Sequence, residues 1–339
     1  MLCVPASPPA RAAEPIALAD FFRNPVVASP VLSPNGRHVA AAMAGGPQGR
    51  RRLVVLDPDD WAKSKLLAAF ADADIQAIEW VNDERLVFTL TDAQSAFAAQ
   101  RGQGLYAVDR DGKTPPRLLI QRHRSGVTTP ASRRELDGSH RLFSVLRDGS
   151  NDVIVAQVAI DGRDRLDSIG LLRLDTTSAG TRSLTPKAPE RTIGWALDAQ
   201  GLPRVAVSRA EGKTRLHWKA TPDAPWTLLR EFDTMAAAEP FTPLGVDRAD
   251  LLYAIAHAGP GADTTALLRL DMRDPGAPAH PLVKLDGHDF NGRLVRAANG
   301  DLLGVRYAAE ERRAQQQRAL QQARKQRAQI GRASCRERV

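Results

Sequence analysis

Short apolar runs separated by turn-forming clusters repeat along most of this chain, and one of them recurs nearly unchanged. Residues 53–57 (LVVLD), 105–109 (LYAVD), 171–175 (LLRLD) and 267–271 (LLRLD) are each a strand-like run closed by an aspartate. Turn formers follow every copy: Pro58-Asp59, Arg110-Asp111-Gly112, Thr176-Thr177-Ser178 and Met272-Arg273-Asp274-Pro275. An aspartate at a strand end can accept hydrogen bonds from the backbone just after it, and so starts the turn. The four aspartates are 52, 66 and 96 residues apart. A four-stranded propeller blade takes about 40–50 residues, so the last interval reads as two periods of about 48. The pattern predicts an all-β chain built as a β-propeller.

The remaining runs fill in the same grammar. A first hairpin is expected within 26–42, with Ser33-Pro34-Asn35-Gly36 as its turn, because Asn-Gly between apolar runs is a strong hairpin signal. The second unit has runs at 75–80, 85–90, 105–109 and 117–120, and the 85–90 run (RLVFTL) alternates as a half-buried strand should. A third unit spans Asp137-Gly138-Ser139-His140, 141–145, 152–158 and 170–184, with an insertion expected at 159–168. The fourth has runs at 193–197, 204–208, 215–219 and 226–229; the fifth has them at 244–246, 251–256, 266–271 and 281–285. Their first turns are Asp198-Ala199-Gln200-Gly201 and Asp247-Arg248-Ala249-Asp250. A sixth unit shows only 292–295, the turn Ala298-Asn299-Gly300-Asp301 and 302–307. Five full units and part of a sixth are therefore expected over 14–307.

The ends differ in character. Residues 1–13 close on Ala10-Arg11-Ala12-Ala13 and read either as the remnant of a secretory signal peptide or as a disordered N-terminus. On the first reading the protein is periplasmic or secreted, and otherwise cytoplasmic. A short lead-in strand and turn are expected at 14–22. Residues 308–329 lack Gly and Pro and are rich in Glu, Arg, Gln and Ala, which predicts a short, basic C-terminal helix. Its apolar positions are nearly all alanine, so it reads as solvated rather than as a coiled coil.

Charge changes the picture less than its total suggests. The 339 residues carry a formal net charge of +8, of which +4 lies in 310–329 and +2 in 330–339, leaving +2 for everything before Glu310. A nearly neutral body is a poor phosphate-tracking surface, so no nucleic-acid partner is expected. No apolar run approaches the length of a membrane span. Cys3 and Cys335 sit at opposite ends, which argues against a disulfide framework or a metal site.

Candidate chemistry is sparse. No Gly-x-Ser-x-Gly elbow, His-Glu-x-x-His pair, phosphate loop or dinucleotide fingerprint occurs. Ser139-His140 are adjacent in a turn and read as turn residues rather than a nucleophile–base pair. The seven histidines, His38, His123, His140, His217, His257, His280 and His288, lack ligand spacing. Trp80, Trp195 and Trp218 read as blade core, with stacking of sugars or peptides at a propeller mouth as the sharper alternative. No catalytic, cofactor-binding or metal-ligating residue is assigned.

Residues 14–40 (EPIALADFFRNPVVASPVLSPNGRHVA) resemble the opening of bacterial serine peptidases of the prolyl oligopeptidase family, whose first blade carries a Ser-Pro-Asp-Gly turn where Ser33-Pro34-Asn35-Gly36 stands here. Residues 289–307 (DFNGRLVRAANGDLLGVRY) resemble a later blade of the same proteins. The resemblance implies an N-terminal propeller that restricts access to a C-terminal α/β-hydrolase domain bearing a Ser-Asp-His triad, so that short peptides are the substrates. No position here matches the triad motifs, and none is carried over. Residues 330–339 (IGRASCRERV) resemble the in-frame translation of a sequencing adapter. On that reading the record stops short of the hydrolase domain and Cys335 is not biological. The alternative is a stand-alone propeller serving as a protein-binding scaffold in the cell envelope.

Overall fold

Each copy of the repeated run is the third strand of a four-stranded sheet. The computed structural model describes residues 26–46, 48–92, 104–121, 135–233, 241–259, 261–274, 276–297 and 301–307. The first sheet is β1 (Val27–Leu32), β2 (Val39–Gly45), β3 (Arg50–Leu56) and β4 (Lys65–Ala68), in that spatial order. The second is β5 (Asp74–Trp80), β6 (Arg85–Thr91), β7 (Leu105–Asp109) and β8 (Arg117–Ile120). The third follows as β9 (His140–Val145), β10 (Asp152–Ile160), β11 (Leu166–Asp175) and β12 (Thr181–Ser183). The fourth is β13 (Thr192–Leu197), β14 (Pro203–Ala210), β15 (Lys213–Trp218) and β16 (Thr227–Asp233). The fifth is β17 (Phe241–Val246), β18 (Leu251–His257), β19 (Thr265–Asp271) and β20 (His280–Lys284). A two-stranded sheet, β21 (Gly292–Arg296) and β22 (Leu302–Tyr307), is the last.

Burial within a sheet runs from the inner strands outward. The second strands are covered on both faces: β6 and β14 each have their first six residues buried. The last strands of the third and fifth sheets are wet, with β12 exposed throughout and β20 nearly so, whereas β4 and β8 each end in two buried residues. This corrects one expectation, since the alternation of β6 predicts one solvated face. Its Arg85 and Thr89 are 7% exposed because neighbouring strands cover the residues that the pattern assigns to water. The interval of 96 between the third and fourth copies is filled by β15, a third strand whose run ends in Lys219 instead of Asp. The insertion expected at 159–168 is not a loop. It is the continued pairing of β10 with β11, Ala159 opposite Ser168 and Ile160 opposite Leu166, around a turn at Asp161–Arg165.

The chain divides into two compact units. Unit 1 comprises Met1–Arg141 with Thr176–Ala179, and unit 2 comprises Leu142–Asp175 with Gly180–Val339. In unit 1 the first two sheets share one core, in which Leu53, Ile75, Trp80, Leu86 and Phe88 are at most 3% exposed. Phe88 stacks on Tyr106 at 5.4 Å between ring centroids. In unit 2, Trp195 and Ile154 join the third and fourth sheets. Val207, Trp218, Leu252 and Leu268 join the fourth and fifth, and Phe290 with Tyr253 joins the fifth and last.

Hydrogen bonds between successive sheets keep the period that the sequence shows. Asn35 N–H donates to Asp83 Oδ1 (2.9 Å, 48 residues apart) and Trp80 Nε1 to the Val31 carbonyl (3.1 Å, 49 apart). Lys65 Nζ reaches the Asp111 carbonyl (3.2 Å, 46 apart). In unit 2, Arg204 Nη2 bonds Asp250 Oδ1 (2.7 Å, 46 apart) and Arg296 Nη2 the Val246 carbonyl (3.2 Å, 50 apart). The lead-in at 14–22, the turn residues 298–300, the C-terminal helix at 308–329 and both chain ends lie outside the described residues.

Candidate functional site

The aspartates that close the repeated strands are turn and staple residues. Asp57 Oδ1 accepts the Asp59 and Asp60 amides at 3.1 and 3.2 Å, the turn mechanism that the sequence predicts. Asp271 Oδ1 accepts the Arg273 amide at 3.0 Å, and its carboxylate also takes the Arg273 guanidinium at 2.8 and 2.5 Å. That guanidinium, before the amide, holds the Asp271 pKa down to about 2. Asp109 departs from the pattern: it accepts Arg85 Nη1 at 2.5 Å from the adjacent strand and the Thr114 hydroxyl at 3.2 Å. Asp175 closes its turn through its own amide, which donates to the Gly180 carbonyl at 2.9 Å.

Two Ser-His pairs occur among the described residues, and their geometries differ. Asp137 Oδ1 accepts the Ser139 amide at 2.8 Å and the Ser139 hydroxyl, while His140 Nδ1 lies 3.1 Å from Asp137 Oδ1 and 3.3 Å from Ser139 Oγ. A nucleophile–base–acid relay needs serine on one imidazole nitrogen and the carboxylate on the other. Here both meet Nδ1, and the buried His140 Nε2 has no hydrogen-bond partner among the described residues. The residues form a turn, as their adjacency in the sequence suggests.

The second pair was not legible from sequence motifs. Ser208 Oγ lies 3.0 Å from His217 Nε2, brought there by the β14–β15 hairpin, in which Ser208 pairs with Arg215 and Ala206 with His217. The two are therefore diagonal neighbours on one sheet face, within side-chain reach. Burial, then the nearby Arg215 charge, lowers the His217 pKa, which keeps the ring neutral and able to accept the hydroxyl proton. Ser208 is 3% exposed in the second strand of its sheet. A nucleophile must reach its substrate, and this one is walled in by β13 and β15.

The three tryptophans are core. Trp80, Trp195 and Trp218 are 3%, 5% and 6% exposed. Trp195 Nε1 donates to the Ile169 carbonyl at 2.6 Å, and the Arg204 guanidinium sits 4.5 Å from the Trp218 ring centre. Buried indoles, with the Trp80 and Trp195 N–H groups bonded to backbone carbonyls, are joints, not platforms for a ligand.

The densest electrostatics are arginine staples. Arg50 Nη1 donates to Asp74 Oδ2 at 2.8 Å and to Asp92 Oδ1 at 2.7 Å. Arg204 binds the Lys219 and Ala220 carbonyls at 2.8 and 2.6 Å besides Asp250. Arg85 adds the Thr176 hydroxyl and carbonyl, both at 2.7 Å, to its Asp109 contact. In each case the charge is matched by nearby acceptors, and the grouping does structural work. Among the described residues no group of three or more His, Cys, Asp or Glu side chains could hold a metal ion. No helix among them is long and apolar enough to cross a membrane.

Four-stranded meanders repeated at about 48 residues define a β-propeller. No protein-family model matches the chain, and no curated protein matches its sequence. Among solved structures the fold is similar to that of prolyl endopeptidase, with a TM-score of 0.51 and 11% identity over 81% of this chain and 38% of that one. Matches at a TM-score of 0.45 include acylaminoacyl peptidase in complex with Z-Gly-Gly-Phe-chloromethyl ketone (11% identity, 80% of this chain, 40% of that one). They also include the β-propeller domain of the Trilobed protease from Pyrococcus furiosus (9% identity, 84% of each). The likeness thus runs to the propeller domains of prolyl oligopeptidase-family peptidases, as the resemblance in the sequence implies. The chain spans about 40% of the length of the acylaminoacyl peptidase that it matches.

Proposed function

We propose that this chain is the propeller part of an exported serine peptidase of the prolyl oligopeptidase family, one that limits access of substrates to a separate α/β-hydrolase domain. The observation that carries this is the pair of sequence resemblances at 14–40 and 289–307, which bracket the repeat. The fold's likeness to prolyl endopeptidase supports it, with the chain covering 38% of that protein. In this reading the propeller contributes no catalytic group. The Asp137, Ser139 and His140 side chains converge on one imidazole nitrogen, and Ser208 is closed from solvent, so neither pair serves acyl transfer. Short peptides are the substrates of the whole enzyme. Export rests on the small-residue close of 1–13.

The test compares this chain with the product of the full genomic reading frame, using chromogenic proline- and alanine-based peptides. The expected result is turnover by the extended protein only, with a Gly-x-Ser-x-Gly elbow encoded downstream. Turnover by this chain that Ser139→Ala abolishes would sink the proposal. A genomic frame that reads IGRASCRERV and then stops would favour the scaffold reading instead.

A further inference from the structure

Asn-Gly pairs occur at Asn35-Gly36, Asn291-Gly292 and Asn299-Gly300, the last outside the described residues. The first two asparagines are both exposed, and the glycines that follow them differ. Asn35 is exposed at the tip of the β1–β2 hairpin, and a Cβ built on Gly36, whose φ is +75°, would meet nothing within 4 Å. Gly292 is enclosed: a Cβ there would lie 2.6 Å from the Phe290 ring, 2.9 Å from the Arg306 carbonyl and 2.9 Å from Tyr307 Cβ. It also opens strand β21, where it pairs with Tyr307.

The Asn35 side chain is polarised as well as open. Its Oδ1 accepts the Ser33 hydroxyl at 2.8 Å and the Arg37 amide at 3.0 Å. Two donors on a carbonyl oxygen draw electrons from the attached carbon and stabilise the oxyanion that forms when a nucleophile adds to it. The nearest nucleophile is the Gly36 amide nitrogen, which now donates to the Ser33 carbonyl at 2.9 Å. We propose that Asn35 is a self-modification site, at which the turn promotes conversion to aspartate and isoaspartate with water as the only co-reactant.

The step balances without any further reagent. The Gly36 nitrogen, its proton lost to solvent, bonds to Asn35 Cγ, and the C–N bond to the side-chain amide breaks as that nitrogen takes a proton from solvent and leaves as ammonia. The resulting five-membered imide is opened by water at either carbonyl. One opening restores the backbone with a carboxylate at position 35, and the other routes the backbone through the side chain. The second product lengthens the turn by one carbon. It breaks the Gly36–Ser33 bond and the Asn35 N–H contact to Asp83 Oδ1, which ties the first sheet to the second. Both products place a new carboxylate near Asp83.

The test incubates the folded full-length chain at mildly alkaline pH and follows each Asn-Gly peptide by mass spectrometry for the gain of one mass unit. The Asn35 peptide is expected to convert about tenfold faster than the Asn291 peptide, and in urea the two should convert alike. Ser33→Ala should slow the folded Asn35 reaction about fivefold, the equivalent of one neutral hydrogen bond, while Ser33→Thr keeps the hydroxyl and the rate. Equal rates at Asn35 and Asn291 in the folded protein would overturn the proposal. So would a Ser33→Ala protein that converts as fast as the original, or a Ser33→Thr protein slowed as much as Ser33→Ala. Tryptophan fluorescence confirms that each variant is folded.

Discussion

Replacing Arg50 with methionine should destabilise unit 1 more than replacing either carboxylate that it bridges. The Asp74 side chain is fully buried and that of Asp92 is 11% exposed, while the Arg50 side chain between them is 14% exposed. Its hydrogen bond to Asp92 is the largest cause of its raised pKa, larger than its bond to Asp74. Removing one member of a buried pair costs about 3–5 kcal/mol, mostly because the charge left behind is uncompensated. Arg50→Met removes the cation that both carboxylates share, so a loss of about 4–5 kcal/mol is expected. Asp92→Asn keeps an acceptor on Arg50 and leaves its Asp74 contact intact, and should cost about 1–2 kcal/mol. Asp74 is further tied to the Arg51 amide at 2.9 Å, which places Asp74→Ala between the two. Urea titration read by fluorescence checks this, because Trp80 is buried in the same core. At about 2 kcal/mol per molar of urea, the Arg50→Met midpoint should fall by about 2 M. Adding Asp74→Leu to Arg50→Met should recover part of that loss by removing one of the two like charges. A single-variant loss below about 1 kcal/mol, or strict additivity in the double variant, would refute the reasoning.

Tyr253, 6% exposed, has its pKa raised to about 12, first by burial and then by its hydroxyl bond to Asp247 Oδ2. Since the folded state holds the proton more tightly, this stabilisation is complete below about pH 10 and fades as pH rises towards 12; ultraviolet titration should show one late tyrosine, absent in Tyr253→Phe. The lowered His217 pKa acts in the opposite sense: its contribution is present above about pH 6.5 and is lost as pH falls, which imidazole proton NMR can follow. Gly201 and Gly36 both have positive φ, at +76° and +75°, but a Cβ on Gly201 would lie 2.2 Å from Leu146 Cδ2. Gly36→Ala should therefore cost about 1 kcal/mol and Gly201→Ala about 2–4 kcal/mol by thermal unfolding; equal losses would contradict the packing. The edge of β22 that no described strand covers, with Leu303 70% exposed, should make the chain self-associate, and a clean monomer by light scattering would count against that.

The repeat was legible because third strands carry two signals at once, an apolar run and a closing aspartate. Where one signal is missing, as in β15 with Lys219 at the end, its place had to come from neighbouring runs. Strand β4 carried too little pattern to be recognised, being short and starting at two exposed residues, Lys65 and Leu66. The arginine staples were invisible for a different reason. Arg85 and Arg204 look like solvent-facing residues in a strand, and the partners that bury them lie up to 91 residues away. The Ser208–His217 pair was hidden by the sheet itself, which brings diagonal residues together without any sequence motif. The Ser139-His140 turn needed no structure beyond its own four residues, and there the sequence reading held.

Five of the bonds between neighbouring sheets reach back 46 to 50 residues, which bears on how the chain emerges from the ribosome. For the sheets that these bonds join, the partner lies in the period just before. Synthesis at about 5–20 residues per second delivers one period in roughly 2–10 s. Hairpins close in about 1–10 μs, so each sheet has ample time to form and dock while the following one is still being made. At these junctions the spacing of the staples matches one sheet to one period of translation.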